Sequence, residues 1–152
     1  MKMLLTIVFL SFYPLINSHA FQKSLERKNN IDLYSSSIIT ASKRYSLPIE
    51  LIKAVITTES NWYSKAKGKA NCIGLMQIRN GSNDYHRNIM NGTGILKHYL
   101  NKCKNDTAKA LTAYNMGYTG MLRYYKKHGH ASNYAKRVLK FFNLLNCSKK
   151  KL

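Results

Sequence analysis

Apolar positions recur at three- and four-residue steps along most of this chain and alternate nowhere for long. Over residues 31–45, Leu33, Tyr34, Ile38, Ala41 and Tyr45 fall at a helical spacing, which predicts a helix. Ser-Leu-Pro at 46–48 ends that helix and starts another, because proline is acceptable in a first turn. Ile49, Ile52, Val55, Ile56 and Glu59 then share one helical face. Residues 61–73 turn to Gly, Lys, Asn and Ser and read as a loop. GLMQI at 74–78 is a short apolar piece before a second loop, RNGSND. Helical spacing resumes over 86–103 through Ile89, Ile95, Leu96, Tyr99 and Leu100, although NGTG at 91–94 would by local rules be a turn. Asp106 or Thr107 caps a helix through Ala110 and Leu111 to Tyr114. A link rich in Gly and Tyr leads to a last helix carrying Tyr134, Val138, Phe141, Phe142 and Leu145. With no repeat and no strand pattern of useful length, the expected fold class is mainly α, a single helical domain.

The first residues do not belong to that domain. In residues 1–20 a positive start at Lys2 precedes an apolar run from Leu4 to Leu10, and Ser18 and Ala20 are small residues placed as in a cleavage site. This reads as a signal peptide for export to the periplasm or cell envelope. A membrane anchor is the alternative, but a span needs about 20 apolar residues, and Ser11, Pro14 and Asn17 interrupt this one. No stable membrane span is expected elsewhere. Residues 21–30 form a polar lead and 148–152 a basic tail.

Charge narrows the partners. The 152 residues carry 25 Lys and Arg against 6 Asp and Glu, a formal charge of +19. Such a field draws the chain to polyanions, and export favours an anionic envelope polymer or membrane surface over nucleic acid. Three cysteines, Cys72, Cys103 and Cys147, are an odd count for an oxidising compartment. Cys103 and Cys147 each lie near a predicted helix end and are the preferred disulfide pair, although sequence does not fix the connectivity. None of the three comes with the motif of a catalytic cysteine. His128 and His130 without a neighbouring acid or cysteine are a weak metal signal, and no metal or cofactor is expected.

The scarce acids sharpen the reading. Glu26 lies in the polar lead, Asp32 and Glu50 suit first helical turns, Asp84 falls in a loop, and Asp106 suits a cap. Glu59 has no such duty. It continues an apolar stripe and stands at the C-terminal end of its helix, where the macrodipole disfavours negative charge. Burial and the helix end both favour the neutral acid, so its pKa is expected to be raised unless a nearby lysine offsets them. A carboxylic acid held protonated near neutral pH can give its proton to a glycosidic oxygen. A Glu whose head merely reaches water from the rim of the core is the plainer alternative. Ordinary glycoside hydrolysis needs two carboxylates, and only Asp84 is a plausible second. A single acid suffices where the sugar supplies its own nucleophile, as the C6 hydroxyl of an N-acetylmuramyl residue can.

Taken in order, ESNW at 59–62, GLMQI at 74–78, NIMNG at 88–92, ALTAYNMG at 110–117 and YAKRV at 134–138 resemble the soluble lytic transglycosylase domain, a lysozyme-like helical fold with a glycan-binding groove that cleaves peptidoglycan. The resemblance implies a catalytic domain over 31–147, acting as a monomer on peptidoglycan strands, and its small size resembles accessory members that serve a secretion, conjugation or pilus machine. It implies that Glu59 is catalytic acid and base and that Ser60 supports the site. It also implies that Met76 and Gln77 line the groove, Gln77 as an amide that hydrogen-bonds a sugar, that Tyr114 and Asn115 face the Glu, and that Tyr134 is the family's late tyrosine. Tyr118 is expected in the groove because flat rings stack on pyranoses, whereas Trp62, Tyr63, Tyr124 and Tyr125 fit groove or core. Residues 78–87 are a shorter link than the family usually has, and Cys72 stands where the family often has a small residue. A lysozyme-type hydrolase using Glu59 with Asp84 and a non-enzymatic cationic envelope binder remain open alternatives.

Overall fold

The computed structural model describes residues 19–149. The chain divides into two compact units, Met1–Leu33 and Tyr34–Leu152. Six helices follow in order: α1 His19–Tyr45, α2 Ile49–Ser60, α3 Tyr85–Lys102, α4 Thr107–Met116, α5 Tyr118–His128 and α6 Asn133–Lys149. A 3₁₀ turn, Lys69–Asn71, and a hairpin of two-residue strands, β1 Cys72–Ile73 and β2 Ile78–Arg79, lie between α2 and α3. The expected signal peptide of residues 1–20 lies outside the described residues except for His19 and Ala20, which open α1; of the tail, 150–152 lie outside. Residues 21–30 are helical, so Asp32 sits well inside α1 and not in a first turn. Among the described residues no helix is long and apolar enough to cross a membrane.

The boundary at 46–48 forms as its residues dictate. Ser46 adopts φ 51, Leu47 N–H donates to the Ser42 carbonyl at 3.1 Å, and Pro48 then leads into α2 with an extended ψ of 134. Ile52, Val55 and Ile56 of α2 are fully buried, as the spacing requires. Within the second unit α2 packs on α6, and α4 packs on α3, α5 and α6. Ile38, Leu75, Met76, Ile89, Leu96, Leu111 and Val138 complete the core.

Three departures from the local rules have physical causes. NGTG does not turn: α3 runs straight through it, and Gly92 is buried where an added Cβ would lie 2.6 Å from Met76 Cβ. The glycine is there for close approach, at the modest cost glycine carries in a helix. The Gly- and Tyr-rich link is itself a helix, α5, which starts at Gly117 with φ 76 and stops at Gly129 with φ 69. Met121 anchors it in the core, and Lys126, Lys127 and His128 in its last turn suit the negative helix end. Asp84 is a cap and not a free loop residue, since its Oδ1 accepts from Arg87 N–H at 2.7 Å. Asp106 caps α4 as expected, accepting from Lys109 N–H at 2.9 Å.

The cysteine pairing is corrected. Cys72, Cys103 and Cys147 are all free thiols. Cys103 turns into the core at the end of α3, whereas Cys147 is exposed on α6, so the two helix ends do not present their sulfurs to one another.

Candidate functional site

The stretch from Thr57 to Trp62 ends α2 in a way that fixes Glu59. Asn61 takes a left-handed conformation (φ 49, ψ 39) and its N–H returns to the Thr57 carbonyl, a helix-terminating geometry for which Asn is among the few suitable residues. Trp62 is 3% exposed, and its Nε1–H donates to Thr57 Oγ1 at 3.0 Å. The indole therefore pins the chain after the helix end and is not a groove residue. Ser60 supports the helix in a limited sense, since its hydroxyl donates to the Ile56 carbonyl at 3.2 Å.

Glu59 is held from the other side by α6. Ser132 starts that helix, its Oγ accepting from Ala135 N–H at 3.2 Å and lying 3.2 Å from Thr112 Oγ1. This places Tyr134 in the first turn of α6, with its hydroxyl donating to Glu59 Oε1 at 2.7 Å. Burial raises the Glu59 carboxyl above its ordinary pKa; the Tyr134 hydrogen bond and the Arg137 charge oppose that rise without cancelling it. The opposing charge is thus an arginine and not the lysine considered from the sequence, and the pKa stays raised. Burial also holds the Tyr134 and Tyr114 phenols well above the usual tyrosine range, so both remain proton donors.

Beside this pair opens a cleft of about 700 Å³, lined by Glu59, Gln77, Tyr99, Tyr114 and Asn115 among others. The GLMQI segment forms one part of its frame. Buried Asn88 on α3 accepts from Met76 N–H at 2.9 Å and donates to the carbonyls of Ile73 at 3.0 Å and Ser82 at 3.1 Å. Gly74 adopts φ 85, and any side chain on it would collide with the Asn88 amide. The match between GLMQI and NIMNG in the sequence is thus one hydrogen-bonded clamp.

The site residues named from the sequence separate here. Glu59, Gln77, Tyr114 and Asn115 line the cleft, and Tyr134 bonds the acid directly. Met76 does not line it: the side chain is fully buried against Gly92, and Thr93 Oγ1 lies 3.7 Å from its sulfur, so its place is the core. Tyr114 lines the cleft, yet its hydroxyl donates to the Met76 carbonyl at 2.8 Å, and the orienting role falls to Tyr134. Gln77, at φ 47, spends its amide N–H groups on the carbonyls of Ala66 at 3.1 Å and Gly74 at 2.9 Å, leaving Oε1 as its remaining acceptor. Tyr118 is absent from the cleft lining; its ring lies under the Lys102 ammonium, 4.2 Å from Nζ to the centroid. Asp84 is likewise not among the lining residues.

Sequence reasoning missed Lys69, Arg79 and Tyr99 as lining residues and Arg137 as the charge nearest in effect to Glu59. Tyr99 was visible as a helix-face residue and Arg137 within YAKRV; nothing local marked the two cations. Among the described residues no group of three or more His, Cys, Asp or Glu side chains gathers as a metal site. His128 and His130 instead pack around Tyr124, with ring centroids 4.4 and 6.1 Å from it.

Comparison with known proteins bears on the family and the fold. The Transglycosylase SLT domain family matches residues 36–84 and 79–137. Over 74 residues the chain is 32% identical to the membrane-bound lytic murein transglycosylase E of Buchnera aphidicola subsp. Acyrthosiphon pisum (strain APS). That match covers 49% of this chain and 34% of the relative, so the chain spans about a third of the relative's length. The X-ray structure of an inactive mutant of the lytic transglycosylase Slt from Pseudomonas aeruginosa is similar with a TM-score of 0.68 at 17% identity, covering 77% of this chain and 24% of that one. The likeness to that structure is one of fold.

Proposed function

The chain belongs to the Transglycosylase SLT domain family, and on that premise we propose that it is an exported lytic transglycosylase that cleaves the MurNAc-GlcNAc bond of peptidoglycan and leaves 1,6-anhydro-MurNAc ends. The observation that carries the reading is the 2.7 Å bond from Tyr134 to Glu59 in a buried carboxyl that borders the cleft. With Oε1 held by the phenol, Oε2 is the oxygen that carries and delivers the proton. Glu59 protonates the oxygen linking the two sugars as the bond to the anomeric carbon breaks. The resulting carboxylate accepts the Tyr134 hydrogen bond more strongly, because a charged acceptor strengthens it, and Arg137 adds favourable charge. Glu59 then takes the C6 hydroxyl proton as that oxygen closes on the anomeric carbon. One acid performs both steps.

A hydrolase using Asp84 has less support, since that carboxyl is engaged as a helix cap and does not line the cleft. Local opening of the wall for a secretion, conjugation or pilus apparatus is a finer part of the proposal, and it is tested by whether such an apparatus still assembles when the activity is removed. For the activity itself the test is Glu59→Gln assayed on purified walls. The amide keeps the shape but neither donates nor accepts the proton, so turnover is expected to vanish while folding and wall binding persist. Wall clearing equal to wild type would overturn the assignment and favour a non-enzymatic cationic binder.

A further inference from the structure

The cleft contains two cations that the acid chemistry leaves unused. Lys69 in the 3₁₀ turn and Arg79 at the end of β2 both line it. The hairpin holds them on the same wall: Arg79 pairs in register with Cys72, Asn80 N–H donates to the Asn71 carbonyl at 3.0 Å, and Arg79 Nε–H reaches the Ala70 carbonyl at 3.4 Å. The bond through Nε fixes the stem of Arg79 and leaves its terminal nitrogens for a planar anion. Both side chains belong to exposed residues.

Among the described residues no ion pair joins an acid to Lys69 or Arg79. In the second unit Asp84 and Asp106 are engaged as caps, and Glu50 is buried in the first turn of α2. The ion pair found among the described residues joins Lys109 to Asp106, elsewhere in the fold. Glu59 shares the cleft, but the Tyr134 phenol is the hydrogen-bond partner of its carboxyl. A neutral sugar polymer would leave both cations without a counter-charge. A strand bearing carboxylates along one edge would satisfy them.

We propose that Lys69 and Arg79 form a carboxylate-recognition site that makes the cleft select acid-bearing glycan strands over neutral N-acetylated ones. This rests on the glycan-cleaving reading above and adds the substrate feature that the hairpin wall reads. The carboxylates of a wall strand come from two sources, the lactyl groups of the sugars and the peptides attached to them, and the chemistry recognised is the same. An Arg paired with a carboxylate in a fork arrangement is a strong, oriented contact, and in a partly solvated cleft it weakens as salt rises.

The test uses the full chain carrying Glu59→Gln, so that binding is read without turnover. Three soluble strands of equal length are compared: one with peptides, one stripped to free lactyl carboxylates, and one stripped with its lactyl groups converted to neutral methylamides. Either or both charged strands are expected to bind about tenfold more tightly than the neutral one, as a charge-assisted bond allows, and which of them does so identifies the source. Adding Lys69→Gln and Arg79→Gln is expected to bring that ratio to about one, with Arg79→Lys retaining part of it, while Lys126→Gln with Lys127→Gln on α5 leaves it unchanged. A ratio that survives the cleft substitutions, or falls equally with the α5 pair, overturns the proposal, as does equal binding of all three strands by the parent protein. Unfolding temperature confirms that each variant is folded. Product formation by the wild type is scored separately: its absence with charge selection intact sinks the transglycosylase reading, whereas product with no charge selection sinks this one.

Discussion

Tyr134→Phe tests how the acid is held. The substitution removes one oxygen and keeps the ring, which is 7% exposed and packed in the core, so the fold is expected to persist. What is lost is the 2.7 Å bond to Glu59 Oε1. A hydrogen bond to a charged group contributes about 1.5–3 kcal/mol net. If that difference falls on the state in which Glu59 has given up its proton, kcat drops roughly ten- to a hundredfold. The pH profile supplies a second, independent readout. The hydrogen bond lowers the Glu59 pKa against the larger rise caused by burial, so removing it lets the pKa rise further. Activity requires the protonated acid, and therefore the alkaline limb of kcat moves to higher pH. The assay is initial rates on soluble glycan strands across pH, with near-UV circular dichroism as the check on packing. A kcat within twofold of wild type, with the alkaline limb unmoved, would refute the reasoning.

Other expectations follow from the same geometry. Glu59→Gln changes stability with pH. Because burial raises the folded carboxyl above its ordinary value of 4.5, the stabilisation from its proton is present below that value and lost as pH rises through the folded pKa. The variant should therefore melt above wild type at neutral pH and lose that advantage near pH 4, about the range of an ordinary carboxyl; equal melting curves at every pH would contradict a buried, raised acid. Asn88→Ala removes three hydrogen bonds from the GLMQI frame, one of them to the buried Met76 N–H and two to the part-buried carbonyls of Ile73 and Ser82; a stranded buried group costs about 1–3 kcal/mol, so chemical denaturation should show a loss of roughly 2–3 kcal/mol. Gly92→Ala sets a gain in helix propensity of about 1 kcal/mol against a clash 2.6 Å from Met76 Cβ. Overpacking costs about 1–3 kcal/mol, and a net destabilisation is expected in the same measurement. Asp84→Ala should cost about 1 kcal/mol as a lost cap and leave kcat close to wild type; a collapse of kcat would revive the two-carboxylate hydrolase.

Glu59 was legible because its helical spacing and the scarcity of acids pointed to the same residue. The clamp between GLMQI and NIMNG was legible as paired strings, though not as the Asn88 hydrogen bonds that explain them. Short-range rules failed where glycine serves close packing. Gly92 reads as a turn until Met76 is seen against it, and the glycines flanking α5 read as a link although they are its two ends. Adjacent residues of a motif also point in different directions. Gln77 borders the cleft while Met76 beside it is core, and periodicity says nothing about a segment that is neither helix nor strand. Lys69 and Arg79 were hidden in a chain with 25 basic residues. Only the hairpin that brings them to the cleft distinguishes them from the surrounding charge.

The most direct test of the central claim is mass spectrometry of glycan strands digested by the wild-type protein, with Glu59→Gln as the blank. Fragments ending in 1,6-anhydro-MurNAc, absent from the blank, are the expected result. Fragments with free reducing ends, each heavier by one water, would contradict the single-acid mechanism.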